Sequence, residues 1–322
     1  VEKETIKKII NGFSDKKVCV IGDTIIDISY DCESAGISLE TPTLKATLND
    51  TAIIPGGAFG VATNLSNILN QCYFVTLVGD DENKDCVFST SNNLILKKIY
   101  DAEKRNNIKR RYWVSKGDVK YKYFQLNTEC KKDISADSQQ ELILYIKSIL
   151  SDVDCLVIAD YRNGMLTKDT LAVILAECKN VDIPVIINSQ LSSHSVERFY
   201  DFVGCDLLVV NEDEYKKVKE FFNCKNKRQL SSKMKCGLCI TRGAKGSTII
   251  INDTVLDQEA FPASVVDTCG AGDSFISMLA CCDFVDYPQE TLQAANMWAS
   301  MFVSTSKETI PTIFELKDKL GL

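Results

Sequence analysis

The residues best suited to chemistry lie together near the C-terminal end, in Asp267-Thr268-Cys269-Gly270-Ala271-Gly272-Asp273-Ser274-Phe275. The run follows the short apolar segment Ser264-Val265-Val266. It leads into Phe275-Ile276-Ser277-Met278-Leu279-Ala280-Cys281-Cys282, which reads as a buried helix. Small residues thus stand where a loop becomes a helix N-terminus. The first N–H groups of a helix have no intrahelical partners and carry the positive end of its dipole, so such a turn favours an anion such as a phosphate. Asp273 sits inside that turn. A carboxylate there is a poor phosphate ligand but a good base for a hydroxyl attacking a phosphate, which suggests phosphoryl transfer to an alcohol. Taken alone, Gly-Ala-Gly-Asp is equally a capped helix after a glycine turn.

Other candidates are scattered along the chain. Gly22-Asp23-Thr24-Ile25-Ile26-Asp27 closes the first apolar run; its two carboxylates either hold sugar hydroxyls or form a solvated turn. Pro55-Gly56-Gly57-Ala58-Phe59-Gly60 is a glycine-rich entry to a helix, a backbone surface for a ligand or a hinge. Asp160-Tyr161-Arg162-Asn163-Gly164 is either a binding loop or a polar strand-to-helix turn. Lys109, Arg110 and Arg111, with Lys120 and Lys122, face either a phosphorylated substrate or simply solvent.

The elements that must position these residues alternate. Lys17-Val18-Cys19-Val20-Ile21 reads as a buried parallel strand, as do the apolar runs at 73–78, 155–159, 185–187, 207–210 and 237–241. Helical patterns occupy 2–13, 60–70, 138–150, 167–179, 212–222 and 289–302. Strands alternating with helices imply a mostly parallel sheet covered on both faces. Two stretches depart from this rhythm, at about 28–54 and 108–126, where polar and apolar residues alternate and Lys116-Gly117-Asp118 marks a hairpin. These fit a small sheet projecting from the main body, or a pair of surface hairpins.

Composition narrows the function. The 322 residues are 45% hydrophobic and 25% charged, with net charge −7. That acidity argues against nucleic acid as the main partner, because phosphate-backbone binding needs a basic surface. Fourteen cysteines lack metal-site spacing: Cys236-x-x-Cys239 has no second pair, and His194 is the single histidine, in a polar string that reads as a loop. Most cysteines look like small buried hydrophobes, reduced as in a cytoplasm. No signal peptide or membrane-length apolar run is evident. The start at Val1 fits a portion excised from a longer protein.

The string Asp-Thr-x-Gly-Ala-Gly-Asp-Ser-Phe resembles the C-terminal signature of the ribokinase/PfkB family of sugar kinases, and further motifs follow in family order from Gly22 to Asn296. The resemblance implies a ribokinase-like three-layer αβα sandwich with a mostly parallel sheet and a projecting β lid, one domain over 1–322. It implies an ATP- and Mg²⁺-dependent kinase in which Asp273 is the base and Gly270, Ala271 and Gly272 form the anion hole. Asp23, Asp27, Gly56, Gly57 and Asp160 correspond to acceptor-binding positions. Thr241, Gly243 and Asn296 correspond to nucleotide positions, with Ala294, Ala295 and Ala299 beside the adenine. Asn211 and Glu214 match the Asn-x-x-Glu motif associated with Mg²⁺, while Glu212 and Asp213 favour a helix start. The lid implies water exclusion and a possible route to a homodimer.

Gly36-Ile37-Ser38-Leu39-Glu40-Thr41-Pro42 and Asp160-Tyr161 look closest to the kinase part of heptose-phosphate kinases. Those act on D-glycero-D-manno-heptose 7-phosphate and are commonly fused to a nucleotidyltransferase domain. Two departures touch sugar-contact positions: Gly60 stands where an Asn is common, and Asn188-Ser189-Gln190 where Asp-Pro is common. Rival readings are a non-catalytic sugar- or nucleotide-binding module, an interaction scaffold, and a nucleoside kinase with an apolar acceptor pocket. Retention of Asp273 speaks against the first, and the lid bases speak against the last.

Overall fold

The computed structural model describes residues 3–89, 91–190, 196–305 and 310–322; His194 lies outside them. The chain opens with helix α1 (Lys3–Asn11) and strand β1 (Lys17–Gly22). After Asp23 alone it continues as β2 (Thr24–Ile37), β3 (Leu44–Gly57) and α2 (Ala58–Ile68). Next come β4 (Gln71–Gly79), β5 (Leu94–Asp101), β6 (Asn107–Lys116), β7 (Val119–Thr128) and α3 (Ala136–Ile149). Then follow β8 (Cys155–Asp160), α4 (Lys168–Asn180), β9 (Val185–Ser189), β10 (Leu207–Asn211), α5 (Glu212–Phe221) and α6 (Lys227–Met234). The last elements are β11 (Gly237–Thr241), β12 (Ser247–Ile251), β13 (Thr254–Gln258), α7 (Ala271–Cys281), α8 (Pro288–Val303) and α9 (Ile313–Leu320).

Nine strands form the large sheet in the order β13-β12-β11-β10-β9-β8-β1-β4-β5. Its pairs are parallel except β11–β12 and β12–β13. Successive residues of a strand point to opposite faces, and both faces here are covered. Val18, Val20, Val157 and Val209 pack against α2, α7 and α8. Cys19, Ile21, Ile158 and Val210 pack against α3, α4 and α5. The three-layer expectation is met. The apolar runs read as parallel strands needed no alternation because water reaches neither face.

The small sheet has the order β3-β2-β6-β7, with β2 and β6 parallel and the other pairs antiparallel. Gly117 and Asp118 form its two-residue hairpin turn, with Gly117 at φ 59° as such turns demand. Gly22 marks the exit from the large sheet: a Cβ there would lie 2.2 Å from the Ala159 carbonyl. Gly57, at φ 67°, brings the small sheet back against the Asp23 carbonyl, which accepts the Ala58 N–H at 3.0 Å.

Strands β5, β12 and β13 and helices α6 and α9 lie outside the sequence reading. Strand β13 has no fully buried residue and presents little apolar signal. The segment Ser264-Val265-Val266 is coil, with both valines exposed.

Candidate active site

The parallel strands end in polar residues along one edge: Asp23 after β1, Asp160 on β8, Ser189 on β9, Asn211 on β10 and Thr241 on β11. Ligands of open α/β sheets bind outside this edge. Helix α7 starts there. Its N-cap is Gly270, at φ 87°, with no side-chain cap; the Ala271 N–H already donates to the Thr268 carbonyl at 3.2 Å, which leaves the N–H groups of Gly270 and Gly272 for an anion.

Asp273 lies in that first turn and is partly buried. Its Oδ1 accepts a hydrogen bond from the Tyr161 hydroxyl at 3.1 Å. Its Oδ2 faces Gly60 on α2, where a Cβ would come within 3.1 Å. Desolvation pushes the carboxyl up to about 6, against the opposing pull of the Tyr161 hydrogen bond and the Lys109 charge. The group is therefore an ionised base at neutral pH that can still hold a proton. The departure at Gly60 is thus a missing side chain directly beside Asp273.

Asp23 and Asp160 behave differently. Asp23 is 3% exposed, and its Oδ2 accepts the backbone N–H groups of Tyr161 at 3.1 Å and Asn163 at 3.3 Å. Burial, then the neighbouring Asp160, pushes it up to about 7. Asp160 is 2% exposed; it accepts the Arg162 N–H at 2.9 Å and the Ser189 hydroxyl at 3.2 Å. The buried Lys104 ammonium donates to the carbonyls of Asn163 (2.6 Å), Cys130 (3.3 Å) and Lys132. These groups build the Asp160–Gly164 loop, and the hydrogen bonds of both carboxylates are internal. The departure at Ser189 belongs to the same network, since Ser189 Oγ also accepts from Arg162 Nε at 2.8 Å.

The small sheet roofs this loop. Asp27 pairs in register with Lys109, and Ser29 with Arg111, which puts their side chains on one face. The Asp27 carboxylate forms an ion pair with Arg111. A cavity of about 200 Å³ runs between roof and loop, lined by Lys109, Asn127, Tyr161, Asn163 and Gln190 among others. Gly56 stands across β2 from this pair, with Asp27 Oδ2 3.8 Å from where its Cβ would be. Lys109 and Arg111 thus point toward the site, whereas Arg110 faces the other way and donates to Thr128 at 2.9 Å. Lys120 pairs with Asp31 at 3.0 Å.

Farther along the edge, Gly243 opens a short turn after Thr241, at φ 56° with nothing near its Cβ position. Arg242 pairs with Asp257 at 3.3 Å. Asn296 is buried and donates to Ser247 Oγ at 2.7 Å and the Leu292 carbonyl at 2.8 Å. Asn211 and Glu214 form a reciprocal capping box on α5: Asn211 Oδ1 accepts from the Glu214 N–H at 2.9 Å, and Glu214 Oε2 from the Asn211 N–H at 2.8 Å. Their Asn-x-x-Glu spacing is that of a capping box, which the sequence reading, taking the spacing only as a Mg²⁺ motif, did not separate from it. Among the described residues no three His, Cys, Asp or Glu side chains cluster as a metal site. A Mg²⁺ ion here would depend mainly on phosphate oxygens and water, as Mg²⁺ commonly does. No described helix is long and apolar enough to cross a membrane. Tyr161 stands in the loop that the sequence offered as a binding loop, but its contact with Asp273 was missed; no spacing signal links it to a residue 112 positions away.

Fold and site define a ribokinase-like kinase domain. Residues 15–313 match the pfkB family of carbohydrate kinases, and the chain belongs to that family. Its relatives include the bifunctional protein HldE of Campylobacter jejuni strain RM1221, 26% identical over 273 residues, which are 83% of this chain and 56% of that protein. HldE of Geobacter metallireducens is 24% identical over 290 residues, 87% of this chain and 57% of that one. The chain therefore spans a little over half the length of these relatives. Among solved structures, Arabidopsis thaliana ribokinase complexed with ribose and ATP aligns with TM-score 0.65 at 17% identity, over 95% of this chain and 99% of that one. Escherichia coli phosphofructokinase-2 in complex with potassium aligns with TM-score 0.68 at 12% identity, over 94% and 98%. At such identities the likeness concerns the fold. The family is one of ATP-dependent kinases acting on carbohydrates.

Proposed function

We propose that this kinase phosphorylates a sugar phosphate, of the heptose 7-phosphate class, with Asp273 as base. The observation that carries the reading is the placing of Asp273 at an uncapped helix start, bonded to Tyr161 and acted on by the Lys109 charge of the roof, two residues that line the cavity below the small sheet. The acceptor hydroxyl gives its proton to the Asp273 carboxylate, and its oxygen bonds to the γ-phosphorus. The bond from that phosphorus to the β,γ-bridging oxygen breaks, and ADP leaves. The N–H groups of Gly270 and Gly272, in the turn that Ala271 closes onto the Thr268 carbonyl, stabilise charge on the transferring group. Thr241, Gly243 and Asn296 are assigned to the nucleotide side, and Asp27, Gly56 and Gly57 to the acceptor side. Asp23 and Asp160 support the acceptor loop through its backbone. Mg²⁺, associated with Asn211 and Glu214, would neutralise phosphate charge when bound.

The small sheet is assigned the role of lid, over about 28–54 and 108–126, and of a homodimer contact; its exposed Ile54, Tyr123 and Phe124 support that. A nucleotidyltransferase domain in the same polypeptide, and a cytoplasmic location, complete the reading. The first rests on relatives called bifunctional, of which this chain matches 56%. The test is ATP consumption with Mg²⁺ across heptose 7-phosphate, hexose phosphates, free hexoses and nucleosides, with product masses. A gain of one phosphate on a sugar phosphate is expected. Turnover confined to nucleosides, or none despite ATP binding, overturns the acceptor assignment.

A further inference from the structure

We infer that Tyr161 is a positioning residue for Asp273: its phenol holds one carboxylate oxygen so that the other is presented to the acceptor hydroxyl. The inference rests on Asp273 being the base in the reading above. Two contacts from different elements carry it. The Tyr161 hydroxyl donates to Oδ1 at 3.1 Å. Oδ2 faces Gly60, the residue of α2 that has no side chain to cover it. A carboxylate fixed through one oxygen keeps the lone pairs of the other for a second donor, and here that other oxygen lies beside Gly60, which covers it with no side chain.

The phenol is itself held. The Tyr161 backbone N–H donates to Asp23 Oδ2, and the Asn163 N–H donates to the same oxygen. Lys104 fixes the Asn163 carbonyl at 2.6 Å, and Asp160 fixes the Arg162 N–H. The Tyr161 ring packs against the buried cluster under α7 and α8. Asp23 and Asp160 therefore act on the base at one remove, by aiming a side chain rather than by touching acceptor. This gives two buried carboxylates a role that needs no exposure to substrate.

Tyr161 donates and does not relay. Burial, then the Asp273 charge, raises its phenol well above the usual tyrosine value, so it keeps its proton. During transfer the acceptor proton passes to Oδ2, and the phenol stays on Oδ1. Among the described residues, the charged or titratable groups acting on the Asp273 carboxyl are Tyr161 from the β8 loop and Lys109 from β6; α2 contributes Gly60. Cys269 and Asp23 act on the phenol instead.

The test needs no acceptor. The Asp273 carboxyl is titrated by NMR in protein carrying ¹³C-carboxyl aspartate, with Asp273→Asn identifying its resonance. Tyr161→Phe removes a hydrogen bond to the charged form, so the midpoint should rise, by about one pH unit. Replacing residue 161 with 3-fluorotyrosine, a more acidic phenol that keeps every contact, should lower it, and it serves even where the Phe variant folds poorly. Turnover on the acceptor found in the panel should show the acid limb moving with the midpoint, with KM for ATP kept. Midpoints that stay put in both variants overturn the role of Tyr161 and leave Asp273 as base. Asp273→Asn retaining turnover overturns the base reading, and the inference with it.

Discussion

The two sheets meet water in opposite ways. In the large sheet β1 and β8 are buried nearly throughout, and the polar groups at their C-terminal ends bond to one another. In the small sheet β3 and β7 are exposed along almost their whole length. Phe124 is 52% exposed although it stands in an aromatic ladder with Tyr112 and Tyr30. The difference separates two tasks. Asp273 and the Tyr161 that holds it are fixed by contacts within the main body. The roof leaves Ile54, Tyr123 and Phe124 exposed, a surface on which the proposed lid and dimer roles depend.

The sharpest test of that division is Asp273→Asn, which keeps shape and removes the base. It should fold and bind ATP while kcat falls by about 10²–10⁴-fold. On the proposed mechanism the Asp273 carboxylate is the active form, and burial pushes its pKa up to about 6. Turnover should therefore fall as pH drops through that value and level off above it, as a pH–rate profile would record.

On the roof, Arg111→Ala should act on binding. KM for a phosphorylated acceptor should rise about ten- to hundredfold, as loss of a charge-assisted hydrogen bond implies. KM for ATP should hold. A loss mainly in kcat would break the comparison, because the roof would then belong to the catalytic frame. Asn211→Ala should cost about 1 kcal/mol of stability by removing a helix cap, read as a lowered unfolding midpoint. An unchanged Mg²⁺ dependence in that variant would assign Asn211 to the helix alone. The smallest effect belongs to Lys120→Ala. Its partner Asp31 is 41% exposed at the side chain, so the pair contributes under about 1 kcal/mol, and denaturant unfolding should barely register it.

Much of the frame was legible along the chain. Apolar runs such as Cys155–Ala159 became strands because a strand buried on both faces shows no polar alternation. The alternating stretches became the small sheet, with the hairpin at Gly117. The glycine turn before Asp273 lies at a helix start, as its residues demand. Other features were hidden for stated reasons. Asn211 and Glu214 carry a spacing that serves a cap as well as a cation. Asp23 and Asp160 look like ligands in sequence, and only their burial reveals that their oxygens already hold the backbone.

By itself the sequence determined the layered α/β class, the helix start at Gly270 and the identity of the carboxylate within it. These follow from local periodicity and turn chemistry, which neighbouring residues settle among themselves. The tertiary structure alone decided what surrounds that carboxylate: Tyr161 on one oxygen, the bare backbone of Gly60 beside the other, and the charge of Lys109. Those residues come from three elements far apart in the chain. Their meeting depends on strand order and register, which are set by how whole faces pack.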